Sequence, residues 1–216
     1  MILKRIKVSV LESQPTNCYI VEDEVSKEAL VIDPGGEVDK IMDMLDTLGV
    51  NLKYIYLTHC HADHAYGVNE LRAKNNSAKV LIHRYDYDYL NDDEVNLSTY
   101  IGLEKMHIED VMRVDEHDKI HVGKIEFDVI HTPGHTRGGS SLYCEAEKMV
   151  FTGDAMFRGT WGRTDLPTGS LEQIMDSIMS KLLKLPDDTI VYPGHGKSTM
   201  VREERPIYEE LSPRID

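Results

Sequence analysis

The sequence predicts an α/β protein with two sheets and helices packed outside them. Strand-like segments fall into two groups, each followed by helices, and the polar motifs of interest come just after strands. In the first group, Ile2 to Val10 is short and apolar-rich and reads as an opening strand. Its Lys4, Arg5 and Lys7 resemble the charged start of a signal peptide, but no apolar stretch follows them. Asn17 to Val21 and Ala29 to Ile32 are the next strands, the second entering the turn Asp33-Pro34-Gly35-Gly36. Val38, Ile41, Met42, Leu45 and Leu48 follow helical spacing, and Gly49 stops that helix. Tyr54 to Leu57 is a buried strand, Leu71 belongs to a following helix, and Val80 to Ile82 is a further strand.

Residues 84–110 read as mostly helical and irregular, with Tyr85, Tyr87, Tyr89 and Tyr100 among them. The second group of strands is His121 to Ile130, Ser141 to Tyr143 and Met149 to Phe151, joined by tight turns. Leu171 to Leu183 is an amphipathic helix, Thr189 to Val191 a strand, and Thr199 to Glu204 begins a last helix. The sequence shows no solenoid repeat, low-complexity stretch or Gly/Ser/Pro-rich linker, so residues 1–216 read as one domain.

A formal charge of −14 opposes binding to a polyanion, which needs clustered Lys and Arg, so nucleic acid is not an expected partner. No apolar run approaches the roughly 20 residues that span a bilayer, and no membrane association is expected. Cys18, Cys60 and Cys144 are widely spaced and odd in number, which indicates no disulfide framework and makes the cytoplasm the default compartment.

The chemistry concentrates in Thr58-His59-Cys60-His61-Ala62-Asp63-His64, with four ligand-type side chains in six positions directly after an apolar strand. His59 and His61 are two apart, so in an extended segment they project the same way and can hold one ion. Asp63 and His64 follow where the chain turns into a helix and can face a second ion. A lone histidine in such a place is usually a surface residue; four ligands in six positions are poorly explained that way. Three later motifs repeat the design of strand, turn, then ligand: Thr132-Pro133-Gly134-His135, Thr152-Gly153-Asp154 and Tyr192-Pro193-Gly194-His195. His83, His107, His117 and His121 have no second ligand nearby in sequence, and His131 reads as a supporting residue. Cys60, between two ligands, is expected to point away from them into packing.

The H-x-H-x-D-H segment, followed in order by His135, Asp154 and His195, resembles the metallo-β-lactamase fold, and within it the glyoxalase II-like (hydroxyacylglutathione hydrolase-like) group. The likeness runs from the Asn17-Cys18-Tyr19 strand through Asp33-Pro34-Gly35-Gly36 to Pro193-Gly194-His195-Gly196. It implies an αββα four-layer sandwich with metals at one edge of the two sheets. By that resemblance His59, His61 and His135 hold one metal, Asp63, His64 and His195 a second, and Asp154 bridges them. The implied cofactors are two divalent ions, zinc first, with iron or manganese as alternatives.

Two such ions supply hydroxide near neutral pH, and Asp63 serves mainly as a ligand that can take a proton in turnover. A thiolate, with a reference pKa near 8.5, leaves with little need of an acid, so the expected substrate is a small thioester. Arg163 occupies the place where glyoxalase II enzymes carry a basic residue for glutathione, whereas Asp165 stands where they usually have an aromatic. Gly162-Arg163-Thr164-Asp165 instead resembles the shorter glyoxalase II-like proteins and the persulfide dioxygenases. Arg163 therefore either grips a substrate carboxylate or pairs with Asp165, and Trp161 either lines the pocket or packs in the core. The tyrosine-rich segment either covers the site or presents a solvated face. Only 21 residues follow His195, so no separate C-terminal glutathione-binding domain is expected. Two other readings stand beside the hydrolase: a mononuclear iron persulfide dioxygenase, and a protein whose metals serve structure alone.

Overall fold

Alternation along the strands decides the layers. In the first sheet Ile20, Val31 and Ile55 point to one side, while Tyr19, Val21, Leu30, Ile32 and Tyr56 point to the other. Both sets are buried, so each strand needs a partner layer on each face. The computed structural model describes residues 1–10 and 15–211; the last five residues of the charged C-terminal segment lie outside the described residues.

Among these residues two six-stranded sheets form. The first runs β1 (Ile2–Val8), β2 (Thr16–Glu22), β3 (Glu28–Ile32), β4 (Asn51–Leu57), β5 (Lys79–His83) and β6 (Val111–Val114), in spatial as in chain order. From β3 onward its strands are parallel. The crossovers carry α1 (Val38–Leu48), then α2 (Ala62–Ala65) and α3 (Val68–Lys74), then α4 (Arg84–Tyr87) and α5 (Asp93–Asn96). The second sheet comprises β7 (Lys119–Val122), β8 (Ile125–His131), β9 (Ser140–Cys144), β10 (Met149–Gly153), β11 (Ile190–Pro193) and β12 (Thr199–Met200). It is antiparallel except between β10 and β11, whose crossover holds α6 (Leu171–Asp176). A last helix, α7 (Val201–Leu211), follows β12.

Tyr19, Leu30, Ile32 and Tyr56 of the first sheet meet Phe127, Leu142 and Phe151 of the second in the central layer. Ile41, Leu45, Val68 and Leu71 cover the first sheet's outer face; Ile174, Ile178, Leu182 and Val201 cover the second's. Each such side chain stabilises the fold by roughly 1.5–3 kcal/mol. The four-layer αββα arrangement follows. No helix among the described residues is long and apolar enough to cross a membrane.

Three segments differ from the sequence-based expectation. The single strand expected over His121 to Ile130 is a hairpin, because Gly123 turns at φ +57 and Val122 pairs with Ile125. Val111–Val114, just beyond the stretch expected to be helical and irregular and assigned to no element by the sequence, is a strand that closes the first sheet's edge. The helix expected to be continuous over Leu171 to Leu183 passes from α6 into a π-helical turn, Ser177–Lys181, and a 3-10 turn, Leu182–Lys184. Ile174, Ile178 and Leu182 recur every four residues, a longer repeat than 3.6, and the widened turn keeps all three on the sheet.

Parallel strands end on the same side, so Asp33, Thr58, Asp86, Asp154 and His195 all follow carboxyl ends of strands at one edge. Backbone and side-chain bonds tie the sheets together there. Ser140 N–H donates to Thr58 O at 2.9 Å, Asn17 N–H to Gly194 O at 2.7 Å, and Tyr19 O–H to Pro193 O at 2.7 Å.

Candidate metal centre

β4 delivers His59 and His61 in extended backbone, and the Pro-Gly turn after β8 delivers His135. The three rings stand 4.7–4.9 Å apart and nearly perpendicular, at 80–88°. One nitrogen from each lies within 4.8 Å of the others, as three imidazoles around a common point require. All three residues are buried.

Hydrogen bonds on the far side of the rings select the tautomers. The Thr58 hydroxyl donates to Asp33 and so accepts from His59 Nδ1–H at 3.0 Å, leaving His59 Nε2 as a buried lone pair with no partner. His135 Nδ1–H donates to Arg163 O at 2.8 Å, and its Nε2 faces His61 Nδ1 at 3.0 Å. His61 Nε2 is buried without a hydrogen bond.

Beside this set lies a second, Asp63, His64 and His195. His64 Nδ1–H donates to Asp33 Oδ2 at 2.9 Å and His195 Nδ1–H to Pro15 O at 3.1 Å, so their Nε2 atoms face each other at 3.3 Å. Asp63 Oδ2 is 3.3 Å from His195 Nε2 and 3.7 Å from His64 Nε2. Asp154 stands between the sets, with Oδ1 3.4 Å from His64 and Oδ2 3.6 Å from His135 and 3.5 Å from His195. Asp154 Oδ1 is buried without a hydrogen bond. Facing lone pairs and an orphaned carboxylate oxygen repel one another unless a cation lies among them. The donor set of five imidazoles and two carboxylates fits two divalent ions.

The two sets differ in electrostatics. Burial, reinforced by the neighbouring imidazoles, pushes His59 far below the usual histidine range and His61 down to about 3. For His64, burial opposes the charge, but Asp63, Asp154 and Asp33 outweigh it and raise the pKa. His195 is raised in the same way, chiefly by Asp154 against its burial. Asp63 falls to about 2, since His64 and His195 more than offset desolvation.

Asp33 and Thr58 carry roles that the sequence reading did not assign. Asp33, at φ +53, accepts from Thr58 N–H and Oγ1–H at 2.8 Å each and from His64, so it orients ligands in both sets. Its signal in the sequence is an aspartate heading a Pro-Gly-Gly turn at the end of a buried strand, a pattern that a turn explains without any bond to a histidine. Gly194 matters through close approach: a Cβ there would lie 2.3 Å from Asp154 Oδ1 and 2.6 Å from His64 Cε1.

A sequence model of the Metallo-beta-lactamase superfamily matches residues 12–195. The chain belongs to this superfamily. It is 33% identical over 199 residues to the hydroxyacylglutathione hydrolase GloC of Haemophilus influenzae, covering 88% of this chain and 89% of the relative. Among solved structures it is similar to BLEG-1 B3 metallo-beta-lactamase, with a TM-score of 0.86, 32% identity, and 95% and 97% of the two chains covered. It is also similar to TTHA1623 in a di-iron-bound form, with a TM-score of 0.82, 31% identity, and 94% and 96% covered.

In this superfamily member the centre opens into a cavity of about 490 Å³, bounded by Leu97, Tyr100, Ile101, Phe157 and Leu166, with Lys7 and Arg163 also in its lining. The tyrosine-rich segment therefore contributes wall, through Leu97 to Ile101. Arg163 Nε and an Nη each donate to Asp165 at 2.9 Å on the surface, which satisfies the pairing alternative, while its carbonyl holds His135. Trp161 lies over Tyr208 in the outer core. His131 stacks on His83 at 4.1 Å and donates from Nε2 to Arg137 O, away from both sets. Cys60 is buried in the first sheet's outer core, as its position between ligands suggested.

Proposed function

We propose that this chain is a metal-dependent hydrolase of small thioesters. The observation that carries the metal reading is the convergence of His59, His61, Asp63, His64, His135, Asp154 and His195 on one point, with four outward imidazole nitrogens tied by hydrogen bonds. His59, His61 and His135 would hold one ion, Asp63, His64 and His195 the other, and Asp154 both. Such a pair of ions, when bound, polarises a carbonyl and makes hydroxide available near neutral pH. The di-iron form of TTHA1623 supports two ions and admits iron as well as zinc.

Asp63 borders the cavity with its side chain 26% exposed. There it would serve mainly as a ligand, placed where a proton taken in turnover passes to the cavity. Of the lining groups outside the two sets, Lys7 and Tyr100 carry dissociable protons and Arg163 a permanent charge, and all three are exposed. A leaving group that departs without protonation suits such a wall, and a thiolate is one. The likeness to GloC supports the same substrate class. Buried, unpaired Cys18, Cys60 and Cys144 support a reducing, cytoplasmic setting.

Turnover of S-lactoylglutathione, acyl-glutathione and acyl-CoA thioesters tests the proposal: hydrolysis that a chelator abolishes and added metal restores is expected. No hydrolysis of any of them overturns the thioester assignment. One iron per chain with oxygen uptake replaces it with the persulfide dioxygenase reading.

A further inference from the structure

His59 and His61 sit on a loop of the first sheet and His135 on a loop of the second, and no covalent link sets the distance between them. Asp86, the third residue after β5, lies between these loops with no exposed surface. Its carboxylate accepts the Cys60 backbone N–H at 2.9 Å, the Thr136 hydroxyl at 2.7 Å and the Gly138 N–H at 2.5 Å. Cys60 separates His59 from His61, and Thr136 follows His135. One carboxylate thus ties together the two segments that carry all three imidazoles.

The approach is close. A Cβ on Gly138 would fall 2.3 Å from Asp86 N and 2.5 Å from its Oδ1. Burial pushes the Asp86 carboxyl up, and the three donors act against that rise. Burying a carboxylate is costly, yet three donors from two loops need both of its oxygens: Oδ2 serves Cys60 and Thr136, Oδ1 serves Gly138. An amide in its place would turn N–H groups toward one of these donors.

We propose that Asp86 is a positioning residue that sets the spacing of the His59–His61 and His135 loops, and hence the metal affinity of the three-histidine set, without touching the ion. This rests on reading that set as a metal site and is independent of the substrate. The rings of His64 and His195 in the second set are held by Asp33 and Pro15 O and make no bond to Cys60, Thr136 or Gly138, so the effect of Asp86 falls on the first half.

Cobalt(II) alone, titrated into metal-free protein and followed by visible absorption, tests this. A His195→Ala background reports the three-histidine set, and a His61→Ala background reports the second. Asp86→Asn is expected to weaken cobalt binding about 10- to 100-fold at the first set and to leave the second within about twofold. Thr136→Val keeps the carboxylate and removes one bond to it, giving a smaller loss at the same set, and it decides the matter if Asp86→Asn fails to fold. Equal weakening of both sets, or of neither, overturns the proposal. If the unsubstituted protein binds no cobalt, the metal reading itself fails and this inference with it.

Discussion

The two halves of the centre use the same kinds of side chain in different surroundings. His59, His61 and His135 are at most 5% exposed, whereas the side chains of Asp63 and His195 are 26% and 24% exposed at the edge of the cavity. In the first half burial holds His59 and His61 neutral; in the second the carboxylates around His64 and His195 favour positive charge there. His61 and His135 of the first half and Asp63 and His195 of the second all line the cavity, so both halves reach it, the second with the more exposed side chains. Protein structural zinc sites are usually closed by four protein ligands, and here both halves border an open cavity.

The largest expected effect comes from deleting a ligand in either half. His61→Ala and His195→Ala should both reduce chelator-sensitive turnover to background, while metal analysis shows a different ion lost in each. If both variants lose both ions together, the halves are one site and the comparison fails.

Gly194→Ala comes next. Its Cβ would press on Asp154 and His64 together, so turnover should fall about 10²-fold, the cost of displacing catalytic groups by roughly an ångström. Gly162→Ala presses on the carbonyl of Asp154 and on His135 Nδ1, and should damage the first half in preference. Metal stoichiometry of the two variants separates these outcomes.

Asp33→Asn should weaken metal binding about 10- to 100-fold, mainly at the second half, because the carboxylate hydrogen-bonded to His64 is lost there directly. The first half feels it only through Thr58. A cobalt titration with the first set weakened more would reverse this assignment.

The smallest effect is expected at the cavity rim. Lys7→Ala should raise KM for an anionic thioester by no more than about fivefold, and less at high salt, since an exposed charge contributes little. A large change in kcat instead would place Lys7 closer to the reacting atoms than its exposure suggests.

Much of this was legible along the chain. H-x-H-x-D-H is local, so a six-residue window shows four ligand-type side chains at once, and helical spacing from Val38 to Leu48 predicts α1 with the bounds observed. The hairpin at Gly123 and the π-helical turn at Ser177–Lys181 were not legible in the same way, because short apolar runs fit several local geometries until a sheet selects one. Asp86 gave no signal at all. It is one acidic residue in a tyrosine-rich stretch, and its partners Cys60, Thr136 and Gly138 lie 26 to 52 residues away.

By itself the sequence determined which side chains can hold metal and which strand faces are apolar, since both follow from residue identity and short periodicity. Only the tertiary structure decided which nitrogen of each histidine points inward, that Arg163 turns its charge to Asp165, and which half is the more exposed. Those outcomes depend on hydrogen-bond partners and burial supplied by distant segments, and such partners exist only once the two sheets have packed together.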